Sequence, residues 1–218
     1  MQYSDAILNL FGAPKLSLLT VCGANELPNV PDYLSSAIWH YIAGATHGNE
    51  VARHLELAFV RRTNAAANNY SNGRSCLLQY IEGVASQQHH LGRYLSALTH
   101  FEQCLNSVWQ AAELFNRIEH SILGKEFKCG TLFKQGENSD LERINRLNNV
   151  VKHFDAKQAE RSSTPIWITN TGLESADTVL SFEELHENVT ALSEIARQSF
   201  VEIPREALER KQRQNTPT

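Results

Sequence analysis

One stretch of the chain combines side chains suited to chemistry with a pattern that sets them side by side. It runs Asp140-Leu-Glu-Arg-Ile-Asn-Arg-Leu-Asn-Asn-Val-Val-Lys-His-Phe154. On a helical wheel at about 100° per residue, counted from Arg146, the six apolar residues Leu141, Ile144, Leu147, Val150, Val151 and Phe154 fall between about 40° and 220°. Arg146, Asn149 and His153 fall between about −60° and 0°. They form a polar stripe that flanks the apolar face instead of opposing it, with Asn149 between the other two along the axis. A guanidinium forks onto phosphate or carboxylate oxygens. An imidazole titrates near neutrality and can give or take a proton. The alternative use of the same residues is a structural, interhelical or subunit contact.

An arginine followed seven residues later by a histidine occurs twice, at Arg93/His100 and at Arg146/His153. Spacing does not separate the two pairs, but context does. Arg93 and His100 repeat at one heptad position off the seam of a long helix, where solvation is expected. Arg146 and His153 sit on a short helix that opens at a capping signal after a long helix and a polar loop.

Other chemistries find no support. His47 and His54 are seven apart and His89 and His90 are adjacent, so no pair has the i, i+3 or i+4 spacing of a helical metal site. Cys22, Cys76, Cys104 and Cys129 are scattered, with no CxxC, which argues against a thiolate zinc site and a disulfide framework. GxGxxG, GxxxxGK[ST] and GxSxG are absent. No metal and no cofactor are therefore expected.

The elements that must position the stripe are mostly helical. The prolines are Pro14, Pro28, Pro31, Pro165, Pro204 and Pro217, and none lies between residues 32 and 164. A proline in a helix interior costs ~3 kcal/mol, so this gap reads as helix. The spacing predicts a short helix over 5–11, a helical pattern from Asp32, and a helix capped by Asn49 that uses Val51, Leu55, Leu57, Ala58 and Val60. The cluster Asn68-Asn69-Tyr70-Ser71-Asn72-Gly73 predicts a turn, followed by a short helix over Cys76–Val84. From about Gln87 to Ile118, Leu91, Leu98, Leu105 and Ala112 recur every seven residues, with Tyr94, Phe101, Val108 and Phe115 between them. This is a heptad seam of a long central helix. Tyr94, Phe101, Trp109 and Phe115 then belong to the core. A polar loop covers 123–138. Ser139 with Glu142, and Ser181 with Glu184, match capping boxes. Pro165–Thr169 and Leu173–Ser175 predict a small hairpin carrying Trp167. The last helix presents Leu185, Val189, Leu192, Ala196 and Phe200, stopping before Pro204.

Composition bounds the rest. The 218 residues are 42% apolar and 20% charged, with net charge −4 and a pI near 6.1. No basic surface dominates, which argues against a dedicated duplex-DNA binder. Mean hydropathy is −0.36, and no apolar run approaches the ~20 residues of a membrane helix. Leu19-Thr20-Val21-Cys22 follows an apolar run as a lipoprotein box would. Val21 is too large for that site, however, and Asp5 stands where a positive charge belongs. A cytoplasmic protein with no membrane association is expected.

The segment around Arg146 resembles the HEPN superfamily, whose signature is Arg-x(4–6)-His on a late helix of an all-α bundle. Arg146 and His153 match with six residues between. The Asn148-Asn149 pair and the Lys152-His153-Phe154 ending are also similar. The resemblance spans roughly residues 90–200. Leu147 stands where a polar residue often follows the arginine. Asp155 replaces the tyrosine of the subgroup paired with nucleotidyltransferase antitoxins, so that regulation is not implied. The residues predict an all-α, up-and-down bundle with a long central helix and a small β-hairpin near 166–175, and the resemblance implies a homodimer whose two motifs meet at the interface. It also implies a metal-independent endoribonuclease, a toxin or stress and defence effector, with RNA as substrate. His153 would then handle a proton at the 2′-hydroxyl or leaving oxygen. Arg146 would stabilise the charged phosphoryl group, and Asn149 would hydrogen-bond phosphate or orient the histidine. The competing expectation is a non-catalytic helical subunit that binds a protein partner, such as an antitoxin or effector. The expected organisation is an N-terminal extension over 1–30, a helical domain over 31–203 and a polar tail over 204–218.

Overall fold

Two helices longer than thirty residues frame the molecule. Helix α1 spans Glu50–Ala85 and α2 spans Leu91–Leu123, so each is about 50 Å long. The computed structural model describes residues 38, 50–86, 90–123, 132–152, 166–169, 172–175 and 178–198. The readings of the extension over 1–30, the helix over 5–11, the start of the pattern from Asp32, the tail over 204–218 and His153 itself lie outside the described residues.

Helix α1 does not break at Asn68–Gly73, contrary to the turn expected there, and the separate helix over Cys76–Val84 is its continuation. Two buried rows explain why. Ala52, Phe59, Ala66, Gly73 and Tyr80 repeat every seven residues, as do Glu56, Thr63, Tyr70 and Leu77. Burying these rows against α2 outweighs the local turn preference of asparagine, serine and glycine. The exposed polar residues Asn68 and Asn72 lie on the outer side of the same turns. Gly73 is there for close packing, since a Cβ would lie 3.1 Å from Cζ of Phe101.

The two helices run antiparallel in one register. Tyr80 packs on Tyr94 and Phe59 on Phe115, with ring centroids 5.5 and 5.7 Å apart. Along α2 the row Tyr94, Phe101, Val108 is buried, as expected. Its companion is not Leu91, Leu98, Leu105, Ala112 but Ala97, Cys104, Ala111 and Ile118. These small residues let the helices approach closely. The leucine row runs along the flank, exposed at Leu91, half-buried at Leu98 and buried at Leu105 and Ala112.

Helix α3 spans Asp140–Lys152. A small antiparallel sheet follows: β1 Trp167–Ile168, β2 Gly172–Ser175 and β3 Thr178–Ser181, in the order β1-β2-β3. The expected hairpin thus gains a third strand. Leu173 pairs with Ile168 on one side and Leu180 on the other, and all three are buried. The sheet is fastened to α2 by Tyr94, whose hydroxyl donates to the Ile168 carbonyl at 3.1 Å and accepts the Ile168 N–H at 3.0 Å. Gly172 is required where the strands meet, because a Cβ would lie 2.0 Å from the Leu180 carbonyl oxygen.

Helix α4 spans Phe182–Ala196 and opens with the capping box expected from Ser181 and Glu184. Its buried face is Phe182, Leu185, Val189, Ser193 and Ala196. It lies antiparallel to α1. His186 near its start packs on Tyr70 at 5.6 Å, and Ala196 at its end shares an apolar cluster with Phe59 and Val60. The fold is an all-α bundle with a small sheet. Among the described residues no helix is long and apolar enough to cross a membrane, and no group of His, Cys, Asp and Glu could hold a metal ion.

Candidate functional site

Helix α3 buries Ile144, Leu147 and Asn148 and leaves Arg146 and Asn149 exposed. The polar stripe read from the wheel therefore lies at the surface for its two described members. Asn149 donates to Asn145 Oδ1 at 3.4 Å, one turn back. The structure brings Arg146 and Asn149 onto one side of one helix, while His153 lies outside the described residues. The other pair with this spacing is less solvated than expected. His100 is half-buried, its Nδ1 3.3 Å from Oδ1 of Asn69, while Arg93 is exposed.

Arg146 has a partner that the sequence reading did not assign. One of its terminal nitrogens donates to Oε1 of Glu142, one turn earlier, at 2.9 Å. Glu142 was expected to close a capping box with Ser139, and half of that box forms: the Ser139 hydroxyl accepts the Glu142 N–H at 3.4 Å. The carboxylate reaches further back. Oε1 accepts the Gly136 N–H at 2.8 Å and Oε2 accepts the Asn138 N–H at 2.7 Å. Gly136 at φ +85° and Asn138 at φ +55° are left-handed, a conformation that can turn successive N–H groups toward one anion. The Gly136 and Asn138 N–H groups, with Arg146, hold the Glu142 carboxyl below its ordinary range although burial opposes them. The same loop is seated on α2 through Phe133, which packs edge-on against Trp109 at 6.0 Å.

A second arginine ties this region together. Arg143 donates to Asp140 at 2.9 Å and to Glu184 of α4 at 2.5 Å, and its other terminal nitrogen donates to the Asn138 carbonyl. Glu184 uses its remaining oxygen to close the α4 cap, accepting the Ser181 N–H at 2.9 Å. Asn188 of α4 donates to Asp140 at 3.4 Å. Sequence reasoning passed over Arg143, although its place one residue after a capping glutamate was legible.

The neighbouring Asn148 is fully buried, and neither of its amide atoms has a hydrogen-bond partner. Comparison with family models, curated proteins and solved structures gives no match.

Proposed function

We propose that the chain is a HEPN-like, metal-independent endoribonuclease, a toxin or defence effector of the cytoplasm, acting as a homodimer through Arg146, Asn149 and His153. The observation that carries this reading is the presentation of Arg146. Its side chain is 43% exposed while one nitrogen is anchored, so the guanidinium faces solvent beside Asn149 on a short, well-seated helix. An anchored guanidinium meets a phosphate oxygen with less loss of side-chain freedom than a loose one. His153, four residues after Asn149 in the sequence, supplies the proton-transfer group in this reading.

The test is cleavage of RNA by the purified chain in excess EDTA. His153→Ala and Arg146→Ala should each lower the rate by about 10²–10⁴-fold. His100→Ala, with the same spacing from an arginine, should cleave as the parent does. Activity lost to EDTA and restored by a divalent ion would overturn the reading.

The tie between Arg146 and Glu142 favours a second reading, a non-catalytic helical subunit that binds a protein partner. There the arginine serves the fold of the 132–139 loop. In that case Arg146→Ala loosens the loop and leaves RNA untouched.

A further inference from the structure

We propose that Glu142 is the positioning residue for Arg146, coupling it to the 132–139 loop so that Phe133 and the Gly136–Asn138 turn set where the guanidinium points. The inference rests on the RNA reading given above for its activity arm and on geometry alone for its structural arm.

The chain of contacts is continuous. Trp109 of α2 holds Phe133 at 6.0 Å. Phe133 lies three residues before Gly136, whose N–H reaches Oε1 of Glu142 at 2.8 Å. That oxygen also accepts from Arg146 at 2.9 Å, so the turn and the guanidinium share one atom. Oε2 is held by the Asn138 N–H at 2.7 Å, which stops the carboxylate from rotating. With only 3% of its side chain exposed, Glu142 has no water-facing alternative.

This arrangement differs from an ordinary surface pair one helical turn apart. In such a pair both partners move, and the geometry is loosely set. Here the acceptor is fixed by two backbone N–H groups and by its burial. A guanidinium has five donors in a rigid fork, so one bond to a fixed acceptor constrains the direction of the other edge. The two backbone N–H groups also offset part of the carboxylate charge, so an incoming phosphate faces a smaller opposing field than a free carboxylate would impose. Moving the loop moves the shared oxygen, and Arg146 follows.

The experiment is ¹⁵N relaxation at Nε of Arg146 in the full chain, with RNA cleavage measured alongside. In the parent, Arg146 Nε should be nearly as ordered as the α3 backbone. Glu142→Gln and Phe133→Ala should both make it mobile. If cleavage is present, both variants should lower kcat by about 10- to 100-fold with KM changed less than about twofold, as loss of an interaction made in the transition state requires. A purely structural Glu142 would instead lose amide protection at Gly136 and Asn138 while Arg146 order and kcat stayed at parental values. That result overturns the proposal, as does an Arg146 already mobile in the parent. If Glu142→Gln does not fold, Phe133→Ala carries the same test from the far side of the loop. A parent that cleaves no RNA ends the activity reading, and the relaxation measurement still decides the positioning.

Discussion

Arg146 and Glu142 share a hydrogen bond across one helical turn, yet one side chain is 43% exposed and the other 3%. The pair therefore joins a buried acceptor to a surface donor. Removing the arginine leaves a carboxylate that still has two backbone donors. Removing the carboxylate leaves those donors without their shared acceptor. The two substitutions are not equivalent, and the loss of Glu142 should be the more damaging.

Acid should weaken the 132–139 loop. The folded Glu142 carboxyl is held low, chiefly by the Gly136 N–H and also by Asn138 and Arg146. Its contribution is complete above the unfolded value of about 4.3 and is lost as pH falls through the lower folded value. Glu194, held low by Arg197, acts in the same direction. Glu102, pushed up by burial, opposes them because protonation relieves its desolvation. Thermal melts from pH 6 downward should show falling stability, with a shallower slope in Glu142→Gln. An unchanged slope in that variant contradicts the assignment.

Arg143→Ala should cost about 1–3 kcal/mol, because Glu184 and Asp140 keep their charges without the guanidinium that joins them. Arg143→Lys should recover little, since an ammonium cannot reach Asp140, Glu184 and the Asn138 carbonyl together. Urea unfolding of the three proteins measures this. Full recovery by lysine would show that only the charge matters.

Gly73→Ala should destabilise the α1–α2 pair by about 1 kcal/mol or more, as overpacking does, despite alanine's higher helix propensity. The new Cβ would meet three carbons of the Phe101 ring at 3.1–3.2 Å. That ring cannot retreat easily, because Tyr70 and Phe182 pack on it at 6.0 and 4.9 Å. Adding Phe101→Leu should restore part of the loss, read as a positive coupling in a double-mutant cycle.

Thr63→Val and Ser193→Ala should be neutral or stabilising. Both residues are fully buried, and neither hydroxyl has a hydrogen-bond partner. A buried hydroxyl left unpaired costs about 1–3 kcal/mol, so its removal should raise Tm. A clear drop in Tm for either variant would falsify this account of the two hydroxyls.

Tyr94→Phe should free the β1 strand from α2, leaving the Ile168 N–H and C=O without their shared partner. Burial pushes the Tyr94 hydroxyl up to about 12. With the unfolded value near 10, stability should fall as pH rises from about 10 to about 12, and Tyr94→Phe should lose that dependence. Alkaline melts followed by far-UV circular dichroism separate the two proteins.

The long helices and the last helix were legible because burial there follows a simple period. Proline placement, the Tyr94–Phe101–Val108 row and the Ser181/Glu184 box each named a feature that the structure contains. The break expected at Asn68–Gly73 was misplaced because turn chemistry is local, whereas the rows running through Tyr70 and Gly73 are satisfied only by a distant helix. The leucine row of α2 was assigned to the seam because leucine outweighs alanine in any hydrophobic reading. The actual seam instead selects Ala97, Cys104 and Ala111 for their size. At the site, the wheel placed Arg146 and Asn149 at the surface. It could not show Glu142 as the anchor, because that depends on the left-handed conformations of Gly136 and Asn138, which no period encodes.

Ser181 is at once the last residue of β3 and the N-cap of α4. There is no spacer between the strand and the helix, so the sheet sets the rotational phase of α4 as a keyway sets a shaft. One residue inserted after Ser181 would turn α4 by about 100°, swinging Leu185 and Val189 out to solvent. Natural length variation should thus never be found at this junction.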